Sequence, residues 1–230
     1  MLASAAVTIV SGSDNESSIQ GLHLVKFVEP DFPTQLQTLG IPVGDVTLAV
    51  SRDSSGTPSD ILTIESTHEL FAVAAVTAVQ QWRFTPSEAG NSLQTTPVVL
   101  RIRFSMQGVV FLDPTITTAE SNALQSNPNN RPVLIPNLQM LDPAHQPVVA
   151  KMPVYPQLMA ARGVEGEARV AFYIDREGKV RMPHVVAATT PEFGTAAMVA
   201  VADWRFAPPR KNNGPTIAAD SWSFEFKRNH

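Results

Sequence analysis

One hydrophobic rhythm occurs twice in this chain. Phe71, Ala74, Ala75, Ala78, Val79 and Trp82 stand at i, i+3, i+4, i+7, i+8 and i+11, the spacing of a single helical face, and Phe193, Ala196, Ala197, Ala200, Val201 and Trp204 restate it 122 residues later. Strand periods flank both helices. Val46, Leu48 and Val50 alternate with Asp45, Thr47, Ala49 and Ser51, the turn Arg52–Gly56 follows, and Ile61–Ile64 returns. In the second copy Ala168, Val170, Phe172 and Ile174 lead into the turn Asp175-Arg176-Glu177-Gly178 and back through Val180–Val186. A third alternating stretch closes each copy: Val98, Leu100, Ile102 and Phe104 against Val99, Arg101, Arg103 and Ser105, then Trp222, Phe224 and Phe226 against Ser221, Ser223, Glu225 and Lys227.

The repeat extends past the helix. Trp82-Arg83-Phe84-Thr85-Pro86 is answered by Trp204-Arg205-Phe206-Ala207-Pro208, Phe32-Pro33 by Tyr155-Pro156, Gly40 by Gly163, Gly44 by Gly166 and Gly56 by Gly178. The offset changes from 123 to 122 between the first two glycines, which places a connection there, since insertions settle where little packing is lost. Pro33 and Pro156 open short helices that end at glycine. Ser66-Thr67-His68-Glu69 and Thr189-Thr190-Pro191-Glu192 predict capping boxes at the starts of the longer helices. The fold class is therefore α+β: two copies of a small α-β-β-α-β domain, each a three-stranded antiparallel sheet packed on two helices, at 22–106 and 148–230. Direction of travel predicts the strand order second, first, third; a right-handed crossover beside the second strand is the other solution.

Two segments lie outside the copies. Residues 1–21 begin with small and apolar side chains from Leu2 to Val10, which read either as the tail of a secretory signal without its basic n-region or as a frayed terminus. Residues 107–147 carry Pro114, Pro128, Pro132, Pro136, Pro143 and Pro147 and read as a linker. Its patches Val133-Leu134-Ile135 and Leu138-Gln139-Met140-Leu141 either dock on a domain or ride on a flexible tether.

Composition narrows the partners. Seventeen Lys+Arg against 21 Asp+Glu give a net charge of −4, opposite to the basic excess that nucleic acid requires. No apolar run approaches the ~18 residues of a bilayer span. Cysteine is absent, which excludes disulfides and thiolate metal sites without choosing a compartment. His23, His68, His145, His184 and His230 are scattered without metal-ligand spacing, and neither a phosphate loop nor a Gly-x-Ser-x-Gly elbow occurs. The expectation is a non-enzymatic protein with no cofactor and no metal.

The third strand of each copy is the expected functional surface. In either topology it can lie at a sheet edge, and an edge strand accepts an extended peptide through its unpaired N–H and C=O groups. The plainer reading is that Arg101, Arg103, Glu225 and Lys227 merely guard these edges. Four ordered landmarks decide the comparison: Pro153-Val154-Tyr155-Pro156, Ala161-Arg162-Gly163-Val164-Glu165-Gly166, Ile174-Asp175-Arg176-Glu177-Gly178-Lys179-Val180, and Ala200 through Pro208. Together they resemble the TonB C-terminal domain, with a degenerate copy from Leu22 to Met106 in which Phe32 replaces the tyrosine.

That resemblance implies a periplasmic domain of Gram-negative bacteria. Such domains couple an inner-membrane proton-motive complex to outer-membrane transporters by pairing their final strand with a short extended segment, the TonB box. Carried over, the partner-binding residues are Val98, Val99, Leu100, Arg101, Ile102, Arg103 and Phe104 in the first copy and Trp222, Ser223, Phe224, Glu225, Phe226 and Lys227 in the second. The family motif falls on Phe32, Pro33, Trp82, Arg83, Phe84 and Pro86, and on Tyr155, Pro156, Gly178, Trp204, Arg205, Phe206 and Pro208. The alternative is a structural interaction module whose last strands pair with each other or with another subunit and bind no peptide.

Overall fold

The computed structural model describes residues 8–9, 18–19, 22–86, 96–106, 108–112, 135–142 and 146–228, which fall into two compact units. The first unit holds β1 (Thr8–Ile9), β2 (Ser18–Ile19), β3 (Leu22–Lys26), α1 (Thr34–Thr38), β4 (Val43–Arg52), β5 (Pro58–Ser66), α2 (Glu69–Val79), β6 (Arg83–Phe84), β7 (Val98–Ser105) and β8 (Gly108–Leu112). The second holds a 3-10 turn at Leu138–Met140, β9 (Pro147–Val149), α3 (Gln157–Arg162), β10 (Gly166–Ile174), β11 (Val180–Ala188), α4 (Pro191–Ala202), β12 (Arg205–Phe206), β13 (Arg210–Lys211), β14 (Gly214–Pro215) and β15 (Ala218–Phe226).

Each unit is built on the expected antiparallel trio in the order second, first, third: β5-β4-β7 and β11-β10-β15. The first sheet continues outward through β8 and β1, giving β1-β8-β7-β4-β5. The segment expected to act as a linker is therefore divided. Gly108–Leu112 is a strand of the first sheet, whereas Leu138 and Leu141 are buried in the core of the second unit. Of the two apolar patches, Leu138–Leu141 docks; residues 133–134 of the other lie outside the described residues.

The helical stripes face the sheets. Phe71, Ala75, Ala78, Val79 and Trp82 are buried in the first unit, as are Phe193, Ala197, Ala200, Val201 and Trp204 in the second. Small side chains in the middle of each stripe bring the helix axis close to the sheet, and the aromatic ends fill the space beside it. Trp82 Nε1 donates to Val28 O at 2.8 Å, and Trp204 Nε1 donates to Lys151 O at 2.9 Å. Each indole is thus satisfied inside an apolar core.

The predicted capping boxes do not form. His68 caps α2, accepting the Leu70 N–H at Nδ1 (3.1 Å), and Thr190 caps α4, accepting the Phe193 N–H at Oγ1 (3.4 Å). Ser66 instead donates its hydroxyl to His68 O at 2.6 Å. Thr67 and Thr189 tie the helix starts to the sheet, their hydroxyl oxygens accepting from Asp45 N (2.5 Å) and Glu167 N (2.9 Å). Those strand amides needed partners, and a hydroxyl satisfies only what lies within reach.

The hairpin turns repeat as closely as the helices. Asp53 Oδ1 accepts from Ser55 N and Thr57 N, both at 2.9 Å, as Asp175 Oδ1 does from Glu177 N (3.2 Å) and Lys179 N (2.8 Å). Asp175 is buried: its Oδ1 satisfies the turn's amides, and its Oδ2 lies 3.6 Å from Arg181 Nη1. The bonds from Ser55 and Thr57 hold Asp53 below the ordinary carboxylate range.

Candidate functional site: the edge of the last strand

The two copies of the last strand have different surroundings. In the first unit, β7 pairs with β4 on one side and β8 on the other, with Arg101↔Leu112, Arg103↔Val110 and Ser105↔Gly108 in register. Val98 to Phe104 is therefore an interior strand, which corrects its expected place at an edge. The chain itself supplies the covering strand. Arg103 is further committed to Asp45, bonding both carboxylate oxygens at 2.8 and 3.0 Å, and this contact keeps its guanidinium charged.

In the second unit β15 pairs only with β10 among the described residues, through nine consecutive residue pairs from Gly166↔Phe226 to Ile174↔Ala218 with no register shift. The strand is longer than its alternation suggested, starting at Ala218, and Lys227 lies just past its end. Trp222, Phe224 and Phe226 point to the helices: Phe224 and Phe226 are buried, and Trp222 packs edge-on against Trp204 with ring centroids 5.1 Å apart. Ser221, Ser223 and Glu225 are exposed on the other face.

Backbone direction defines the free edge. Ala219 donates its N–H away from β10, to Pro136 O at 3.0 Å, and alternate residues of a strand share that direction. Ser221, Ser223 and Glu225 therefore aim N–H and C=O outward as well. Asp220 closes the start of this edge, its Oδ2 accepting from Leu138 N (3.0 Å) and its Oδ1 from Ser221 N (2.7 Å). Beyond that point the outward groups of Ser223 and Glu225 have no partner among the described residues. Two consecutive outward-facing positions of β15 thus keep their backbone groups free of partners among the described residues.

The opposite edge of the same sheet is blunted. On β11 two bulges place extra residues against β10, Met182 adopts φ 51°, and Pro183 has no N–H to offer. Charge guards β15 only lightly. Glu225 and Lys227 form an exposed ion pair that lowers the pKa of the carboxylate and raises that of the ammonium through their mutual hydrogen bond, and solvent screens such pairs to small energies. Glu225 is also the register partner of Glu167, where the first unit has Arg103 opposite Asp45.

The motif residues of the repeat close each unit around its sheet. Phe84 N donates to Gly56 O at 2.9 Å and Phe206 N to Gly178 O at 2.8 Å, so the Trp-Arg-Phe phrase is stitched to the hairpin turn; Arg83 and Arg205 fold back onto the tryptophan carbonyls. Residues 28–106 and 151–227 both match the family described as "Gram-negative bacterial TonB protein C-terminal". The chain belongs to the TonB C-terminal family. Over 96 residues it is 30% identical to Protein TonB of Pseudomonas aeruginosa, an alignment covering 41% of this chain and 28% of that protein. The aligned part is thus only about a quarter of the relative's length. A solution NMR structure of the Pseudomonas aeruginosa TonB CTD is 31% identical, covering 37% of this chain and 88% of that one, with a TM-score of 0.32.

Within the TonB C-terminal fold, Tyr155 and Phe32 show what the two copies share and where they diverge. Tyr155 packs edge-on against Phe193 and Phe226 at 5.6 and 5.8 Å, and its hydroxyl donates to Val164 O at 2.5 Å. Phe32 keeps the equivalent ring contacts with Phe71 and Phe104, at 5.4 and 6.5 Å, without the hydroxyl. Pro33 and Pro156 occupy the caps of α1 and α3. Among the described residues no group of three His, Asp or Glu side chains converges as a metal site, and no helix is long and apolar enough to cross a membrane.

The sequence signal missed two features of the site. Ala218–Asp220 lacks β-branched residues, which hid the start of β15, and the cover supplied by Pro136–Leu138 comes from far along the chain. The strand over β7 had a signal: Val109-Val110-Phe111-Leu112, directly after Gly108, is a short β-prone run.

Proposed function

We propose that β15 of the second unit accepts an extended segment of an outer-membrane TonB-dependent transporter as an added strand, in the periplasm, as one step of energy-linked transport. The observation that carries this reading is the regular strand whose outward groups at Ser223 and Glu225 have no partner among the described residues, while the opposite edge at β11 is blunted. Membership of the TonB C-terminal family supports the partner class. The occupied edge of β7 favours a second reading, an interaction module whose edges are satisfied within the protein or by another subunit and take no peptide.

A fluorescence-anisotropy titration with a labelled TonB-box peptide separates the two. The intact chain is expected to bind saturably. Ser223→Pro is expected to weaken binding at least tenfold, because it removes an outward N–H worth about 0.5–1.5 kcal/mol and sets a ring against the guest backbone, while an edge proline spares the pairs made by Trp222 and Phe224. Ser223→Ala should bind as the unaltered chain does. Absence of saturable binding by the intact chain would favour the interaction module.

A further inference from the structure

We infer that the first unit is silenced in cis by its own β8, so that the chain offers one docking edge and not two; the docking half of this inference rests on the function proposed above. With the 122-residue offset, Arg101, Arg103 and Ser105 correspond to Ser223, Glu225 and Lys227. Gly108–Leu112 pairs with the first set, where the second unit has no strand among the described residues. In the first unit the position of an added strand is filled from within the chain.

The occupant is difficult to displace by mass action. Its first residue follows β7 after Met106 and Gln107, and a short tether gives an effective concentration of about 1 mM or more. A guest of equal intrinsic affinity at ~10 μM would hold about one such edge in a hundred. β8 is held from its far side as well, pairing in parallel with β1 through Thr8↔Val110 and Ile9↔Phe111. An incoming strand would therefore have to break the β7–β8 ladder in the first unit, and among the described residues none in the second.

Hydrogen exchange on the full chain tests the closure independently of any ligand. Amides of Arg101 and Arg103, which face β8, are expected to exchange at least 100-fold more slowly than those of Ser223 and Glu225. Equal rates in the unaltered chain would overturn the inference. Val110→Pro removes the donor opposite Arg103 and is expected to release protection at Arg101 and Arg103 while Leu100 and Ile102, which face β4, remain protected and report an intact sheet. The labelled TonB-box peptide should then bind at two sites per chain in this variant and at one in the unaltered protein. Two sites in the unaltered protein, or one in a variant with its edge demonstrably open, would also overturn the inference. If exchange is asymmetric yet no peptide binds either form, the closure stands and the docking function is refuted.

Discussion

Trp204→Ala is expected to destabilise the second unit by about 3–5 kcal/mol, a large share of the stability of a small domain. The indole is 1% exposed and lies among Phe172, Phe206, Trp222 and Phe224, with ring centroids 5.1 to 6.3 Å away. Truncation removes all of these contacts, leaves a cavity and strips the Lys151 carbonyl of its donor. Trp204→Phe is expected to cost less, about 1–3 kcal/mol, because it refills most of the volume but still orphans that carbonyl. The measurement is hydrogen exchange of β10 amides in the full chain, which reports the second unit by itself. Since the outer edge of β15 depends on the strand beneath it, peptide binding should be lost with Trp204→Ala. Trp82→Ala should destabilise the first unit similarly and leave that binding unchanged.

Gly178→Ala is expected to cost about 2–4 kcal/mol, with Gly56→Ala matching it in the other unit. Both glycines adopt φ 83°, in the left-handed region, and a Cβ at either would sit 2.0 to 2.1 Å from a phenylalanine carbonyl oxygen, that of Phe84 or Phe206. Relief requires the turn to move away from the Trp-Arg-Phe phrase and break the bond that Gly178 O or Gly56 O accepts from it. Gly40→Ala separates the two contributions: φ is 68° there and a Cβ meets nothing within 4 Å, so only the backbone cost of about 1–2 kcal/mol applies. Urea unfolding followed by amide signals from each unit measures all three. Equal losses at Gly178 and Gly40 would show that the close approach to Phe206 contributes nothing.

The architecture was readable because it repeats. Phe71 to Trp82 and Phe193 to Trp204 each carry a helical period strong enough to place the core face, and the alternating strands around them leave few ways to cover that face. Polar details followed a different logic. The capping boxes depended on which amides were left unsatisfied once the sheet formed, and Thr67 and Thr189 went to the strands. Nothing in the turn Asp175-Arg176-Glu177-Gly178 marks its first carboxylate as buried, yet Asp175 is, with Arg181 of the same hairpin 3.6 Å away.

The difference between the edges was the least legible part. Val98–Phe104 and Trp222–Phe226 have the same alternation, and nothing within either stretch says that one is flanked on both sides. That information lies in Gly108–Leu112, outside the repeat, and in Pro136 and Asp220, which close the start of β15. Edge availability is a property of neighbours.

The most direct test is an isotope-edited NMR experiment on the intact chain saturated with the TonB-box peptide. Cross-strand contacts should appear between the peptide backbone and the amide protons of Ser223 and Glu225 and the α protons of Trp222 and Phe224, which face the same side, with exchange at both amides slowed at least tenfold. A bound peptide whose contacts fall on β11 or on the loops, with Ser223 and Glu225 still exchanging freely, would contradict the account.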